Sequence, residues 1–257
     1  MPRRAREKSQ TGIYHIIIRG INRQIIFEDE EDAENFLYTL NDYKSKSKYE
    51  IYAYCLMGNH VHILLEEGKE DLGLIMKRIG ASYVYWYNWK YDRVGHLFQD
   101  RYKSEVVESE KYFLAVVRYI HQNPLKAGIV KDIRDYSWSS YGEYVNTRKM
   151  VNTDYVLNMF SHDREKAREL FEEFHQEESN IKCLDIDQRK HIKDNEAIEI
   201  IKNTCNVSHC IDIQKFHKSK RDESLNWLKE KGLSTRQIER LTGISRHLVL
   251  KAWMKNI

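Results

Sequence analysis

Residues 55–67 read CLMGNHVHILLEE. Gly58 and Asn59 are turn formers set between two apolar runs, so the stretch predicts a hairpin with strands over 49–57 and 60–66. Side chains alternate along a strand, which puts His60 and His62 on one face and Val61 and Ile63 on the other. Two imidazoles thus share a platform. Taken alone, that platform fits a metal site as readily as a solvent-facing histidine beside a hydrogen-bonded packing one.

Working outward, residues 12–20 (GIYHIIIRG) are apolar and β-branched enough for a buried strand. Residues 28–44 (EDEEDAENFLYTLNDYK) carry acids in a first turn, then Phe36, Leu37 and Leu40 at helical spacing. Beyond the hairpin, 72–89 is aromatic and helical, 102–107 alternates as a strand, and 110–122 is a helix. Asn123-Pro124 should stop that helix, because proline disfavours helical geometry in the residue before it. The order βαββαβα predicts an α+β fold: a ferredoxin-like split-βαβ sheet with helices on one face, followed by one more helix. An aromatic segment, YSWSSYGEY (136–144), closes it.

The chain has 257 residues, 41% of them hydrophobic and 12% aromatic, which is enough for a substantial core and excludes a disordered protein. Its formal net charge of +3 hides segregation. Arg3, Arg4, Arg6, Lys8, Arg19 and Arg23 face only Glu7 near the start, whereas acids outnumber bases over 161–200. This predicts two anion-binding modules joined by a solvated spacer: a first domain over 1–147, an acidic helical linker over 148–200 and a third segment over 201–257.

In that last segment, LNWLKEKGLSTRQIERLTGISRHLVLKAW shows two short amphipathic helices, 234–241 and 245–253, broken at Thr242-Gly243. Ser234 and Ser245 are suited to cap them, with Ile238, Leu241, Ile244 and Val249 forming the contact between them. The pattern is helix-turn-helix. Arg236, Arg240, Arg246, His247 and Lys251 fall outside the apolar set and suit a phosphate-lined groove, although a plain helical hairpin fits the same spacing.

Cys55, Cys183, Cys205 and Cys210 lack C-x-x-C pairing, also when His209 is considered beside Cys205 and Cys210. With no secretory leader ahead of them they are expected as reduced thiols in a cytoplasmic protein. No apolar run approaches the roughly 18 residues of a membrane span.

In RYIHQNPLKAG (118–128), Tyr119 and Asn123 are four residues apart and share a helical face. Should that face lie over the hairpin, His60, His62 and Asn123 make a three-point set for a divalent ion, with a phenol beside it. Nitrogen and oxygen donors of this kind suit Mn²⁺ or Mg²⁺. Tyr119 is one of 17 tyrosines, most of which must serve packing.

Together, GNHVHILL and RYIHQNPLKAGIV resemble the histidine-hydrophobe-histidine (HUH) motif and nucleophile helix of the single-tyrosine transposases, in particular the REP-associated tyrosine transposases, which are IS200-like. YHIIIRGINRQIIF, HLFQDRYKS and YSWSSYGEY resemble further segments of that family in the same order, over about residues 12–145. The resemblance implies an HUH nuclease domain, a metal-dependent endonuclease and strand transferase acting in transposition and DNA recombination on single-stranded or hairpin DNA. Its intermediate would be a 5′-phosphotyrosine. Tyr119 would be the nucleophile, with His60 and His62 as metal ligands and Asn123 as the third, where related enzymes often have glutamine. Gln122, about 100° away around the helix, should face elsewhere, and His121 should be a surface residue. Arg19, Arg101 and Lys103 would contact phosphate, and Tyr83, Tyr85, Trp86 and Tyr87 offer rings for base stacking. The family also allows a homodimer and a nucleoid-associated location in a bacterial-type cell. Two other functions share parts of the pattern: a DNA-binding regulator that keeps the HUH fold as a scaffold, and a rolling-circle initiator or relaxase. The joint presence of His60, His62, Tyr119 and Asn123 favours the transposase.

Overall fold

A computed structural model describes residues 6–146, 150–177, 181–185, 192 and 194–254. Arg3 and Arg4 of the basic start, and parts of the acidic stretch, lie outside the described residues. The chain divides into two compact units, Met1–Ile186 and Asp187–Ile257.

In the first unit, β1 (Ile13–Arg19), α1 (Glu30–Ser47), β2 (Glu50–Met57), β3 (His60–Glu66), α2 (Leu72–Lys90), β4 (Lys103–Val106) and α3 (Glu110–Lys126) follow the expected βαββαβα order. The four strands form one antiparallel sheet in the order β2-β3-β1-β4. Local chemistry starts each helix. Asp29 accepts from the Asp32 amide while the Asp32 carboxylate reaches back to the cap, Asp71 accepts from Leu74 N–H, and Ser109 accepts from Tyr112 N–H. Residues 13–18 are all buried, so both faces of the central strand are covered. α3 buries Phe113, Val116, Val117 and Ile120, a stripe at helical spacing, and lies across β2 and β3. α1 and α2 pack on each other, with Phe27, Phe36 and Tyr83 meeting edge to face.

Two expectations are revised. α3 does not end at Asn123 but continues through Pro124 to Lys126. Proline removes one amide and crowds the carbonyl four residues back, yet only the final turn is affected. Ala127 N–H still donates to Asn123 O at 2.9 Å, and Pro124 itself is buried.

The second revision concerns the stretch whose charge suggested a solvated spacer. α4 (Tyr141–Val145), α5 (Thr153–Asn158) and α6 (Arg164–Gln176) belong to the first unit. Ala167, Phe171 and His175, each four apart, form one buried stripe of α6, and Phe171 stacks on Tyr144 at 4.4 Å. The charges that dominate its composition occupy the other face, which is why a net count reads it as solvated.

The second unit holds α7 (Asp194–Cys205), α8 (Lys218–Glu230), α9 (Thr235–Thr242) and α10 (Arg246–Met254). Its core gathers Leu225, Leu228, Ile238, Ile244 and Val249, with Leu241 packed at the edge. Ser234 caps α9 by accepting from Gln237 N–H, and Gly243 ends it with a left-handed φ of 73°, which glycine adopts without strain. Among the described residues no helix is long and apolar enough to cross a membrane.

Candidate active site

Register places the functional side chains. Antiparallel pairing sets Arg19 opposite His60 and Ile17 opposite His62 on one side and Lys103 on the other, with His15 opposite Leu64 and Glu105. Arg19, His60, His62, His15 and Lys103 therefore share one face of the sheet. α3 covers that face: the Tyr119 ring lies 5.6 Å from His62 and 5.8 Å from His15, centroid to centroid, both edge-on.

His60 and His62 are 5.1 Å apart, ring to ring. His60 Nδ1 donates to Asn59 Oδ1 at 2.6 Å, leaving Nε2 with its lone pair. His62 is fully buried, its Nδ1 lies 3.1 Å from His15 Nε2, and its own Nε2 has no partner within the protein. Burial lowers the pKa of all three rings, His15 to about 3 and His60 to about 4; beside His60, Arg19 acts in the same direction and Asp185 against it. All three are neutral at pH 7.

Asn123 Nδ2 donates to the Tyr119 carbonyl at 2.9 Å, and the Asn123 side chain also hydrogen-bonds the phenol. Burial pushes the Tyr119 hydroxyl well above the ordinary phenol range; the Asp185 carboxylate, hydrogen-bonded to it, pushes the same way, and Asn123 opposes them. Lys126 sits over the Tyr119 ring at 4.9 Å. Tyr119 is thus a protonated phenol beside neutral imidazoles, with the Asp185 carboxylate at its hydroxyl and Lys126 over its ring.

The donor set fits a divalent ion of the Mn²⁺ or Mg²⁺ type: a buried imidazole nitrogen without a partner, a second imidazole whose Nε2 is a lone pair, and a neighbouring amide. Among the described residues no group of three His, Cys, Asp or Glu side chains is placed to hold a metal.

His121 is not at the surface. It is wholly buried behind α3, with Nδ1 2.9 Å from His175 Nε2 and Nε2 2.8 Å from Ser140 Oγ. Gln122 turns away from the phenol as expected and donates to the His175 and Glu177 carbonyls. Arg118 donates to the Phe174 carbonyl, so both tie α6 down. Of the anticipated stacking rings, Tyr83 and Tyr87 are core and Tyr85 is exposed. Arg101 lies apart from the histidines, on a cleft of about 550 Å³ lined by Met76, Lys77, Gly80 and Phe98. Arg236, Arg246 and His247 are exposed in the second unit, Arg246 paired with Glu239.

Two site residues escape sequence periodicity. His15 is one more apolar-strand position until the β1–β3 register is known. Asp185 arrives from far along the chain: Cys183 is half-buried against the core and Leu184 N–H donates to Glu105 Oε2 at 2.9 Å, which brings the next residue to Tyr119. No local signal marks it.

The first unit thus combines a sheet in the order β2-β3-β1-β4 with paired histidines beneath a helical tyrosine. Residues 8–123 match the family described as "Transposase IS200 like". No curated protein matches the chain. Among solved structures, a REP-associated tyrosine transposase bound to a REP hairpin is 20% identical, covering 60% of this chain and 90% of its own at a TM-score of 0.51. A putative transposase from Deinococcus radiodurans R1 is also 20% identical, covering 47% and 97% at 0.34.

Proposed function

We propose that the first unit cleaves and rejoins single-stranded or hairpin DNA through a covalent bond to Tyr119. The observation that carries this is the placement of the Tyr119 phenol against His62, with Asn123 and Asp185 at its hydroxyl. Tyr119 Oη attacks a phosphorus; the bond to the 3′ oxygen breaks, the phenol proton leaves, and the departing oxygen takes up a proton as a free 3′-hydroxyl. The 5′-phosphate stays on the tyrosine until a 3′-hydroxyl attacks in the reverse sense and rejoins the strand. His60, His62 and Asn123 would hold Mn²⁺ or Mg²⁺, which when bound polarises the phosphodiester. Asp185 accepts the phenol hydrogen bond and orients the hydroxyl, while Arg19, Lys103 and Lys126 supply positive charge for the phosphate backbone. The REP hairpin held by the solved relative supports hairpin DNA as the substrate here.

The second unit is proposed to add DNA affinity. α10 presents Arg246, His247 and Lys251 on its exposed side behind a buried Ile244–Val249 contact, an arrangement suited to a duplex groove. This feature also favours the alternative of a DNA-binding regulator. The two separate by incubating the protein and its Tyr119→Phe variant with end-labelled single-stranded and hairpin DNA and Mn²⁺. A metal-dependent protein–DNA adduct on a denaturing gel, absent from the variant, is expected; bound DNA with no adduct across a diverse pool would leave the regulator.

A further inference from the structure

Residues 181–185 form neither helix nor strand, yet they bring an acid to the Tyr119 hydroxyl. Leu184 N–H tethers them by donating to Glu105 Oε2 at 2.9 Å, on the edge strand β4, and the Tyr112 hydroxyl donates to the same oxygen. Cys183 is half-buried against the core, while Asp185 is exposed. An exposed, irregular segment held in this way belongs to the low-stability end of a fold, from which movable elements are drawn.

The place of its acid matters for DNA. The Asp185 carboxylate accepts from the Tyr119 phenol, and its charge acts on Arg19 and His60. A carboxylate hydrogen-bonded to the phenol lies about 3 Å from Oη. A phosphorus poised for attack must come about as close, roughly 3–3.5 Å. Both groups are anionic, and both draw on the Arg19 guanidinium. A phosphate set about 4 Å from the carboxylate would meet a repulsion equal to about a fivefold loss of affinity in bulk water, and to more where water is excluded. The acid that keeps the hydroxyl aimed in the free protein therefore stands where the strand must arrive.

We propose that residues 181–185 are an autoinhibitory strap: Asp185 holds the place of the scissile phosphate in the free protein, and single-stranded DNA must lift the segment off Glu105 to reach Tyr119. Asp185 then acts as a pseudosubstrate, orienting the hydroxyl until a phosphate replaces it. The proposal rests on the reading of Tyr119 as the nucleophile and of Arg19 as a phosphate contact.

The test compares wild type, Asp185→Asn and Leu184→Pro, with circular dichroism as the check on folding. Asparagine removes the charge but can still accept from the phenol. Proline removes the tethering amide and leaves the net charge and Asp185 unchanged. Binding of fluorescent single-stranded DNA is measured by anisotropy in EDTA, and the rate of adduct formation with Mn²⁺ on denaturing gels. Both variants should bind about fivefold or more tightly than wild type and form the adduct correspondingly faster. Tighter binding by Asp185→Asn alone would be the general effect of removing an acid near DNA, and overturns the strap. Unchanged binding, or slower adduct formation, in a folded Leu184→Pro protein overturns it as well. Tighter binding by both variants, with no adduct from any of the three proteins, upholds the strap and overturns instead the reading of Tyr119 as the nucleophile.

Discussion

Acid should detach α6 from the first unit, and replacing His175 should blunt that response. His175 Nδ1 can only donate to the Phe171 carbonyl, at 2.8 Å, so its Nε2 accepts from His121 Nδ1 at 2.9 Å, and His121 Nε2 accepts from Ser140 Oγ. Both rings are buried and neutral; desolvation lowers His175 to about 3 and His121 well below its ordinary value, each opposing charge on the other or beside Arg118. Because the folded-state pKa values lie below the unfolded value near 6.5, the unfolded chain takes up protons that the folded chain refuses. Stability from these rings is therefore complete above about pH 6.5 and falls as the pH drops toward 3. His175 contributes a slope of about 1.4 kcal/mol per pH unit in that window, so acidification from pH 6.5 to 5 removes about 2 kcal/mol through this ring, and His121 acts in the same direction. Urea unfolding at pH 7, 6 and 5, followed by circular dichroism, should show the wild type weakening steeply. His175→Gln should begin lower, by about 1–3 kcal/mol for the disturbed hydrogen bonds, but lose about 1.4 kcal/mol less per pH unit below pH 6. A variant with the wild-type slope would refute the account of a buried neutral relay.

Two further outcomes follow from the packing and from the division of the chain. Phe171→Ala removes a fully buried ring stacked on Tyr144 and should destabilise the first unit by about 3–5 kcal/mol in the same assay; a loss under about 1 kcal/mol would mean that α6 is not part of that core. Deleting 187–257 should lower affinity for hairpin DNA in a gel-shift titration and flatten its salt dependence, leaving the metal requirement of cleavage unchanged; equal binding by the shortened protein would remove the second unit's proposed role.

What the sequence made legible was local. The GNHVH hairpin, the alternation that joins His60 to His62 and the four-residue step from Tyr119 to Asn123 each depend on a single period, and the sheet reproduces them. Pro124 misled because it falls in the last turn, where the lost amide and the crowded carbonyl disturb only the helix end. α6 misled because its charges outnumber the stripe of Ala167, Phe171 and His175 that fixes it in place. His121 is two residues from Tyr119 and does face away from it, but away from the site meant toward Ser140 and His175, not toward water. His15 and Asp185 required knowledge of which strand pairs with β3 and where residues 181–185 return; neither is encoded in a nearby spacing.

The central claim is that Tyr119 becomes joined to the 5′ side of a broken strand. Its most direct test is to digest the adduct formed with Mn²⁺ and hairpin DNA with nuclease and protease and to locate the nucleotide by mass spectrometry. The account predicts a 5′-linked nucleotide monophosphate on the peptide containing Tyr119 and a free 3′-hydroxyl on the released strand. A nucleotide on any other residue, or cleaved DNA bearing a free 5′-phosphate and no protein, would contradict it.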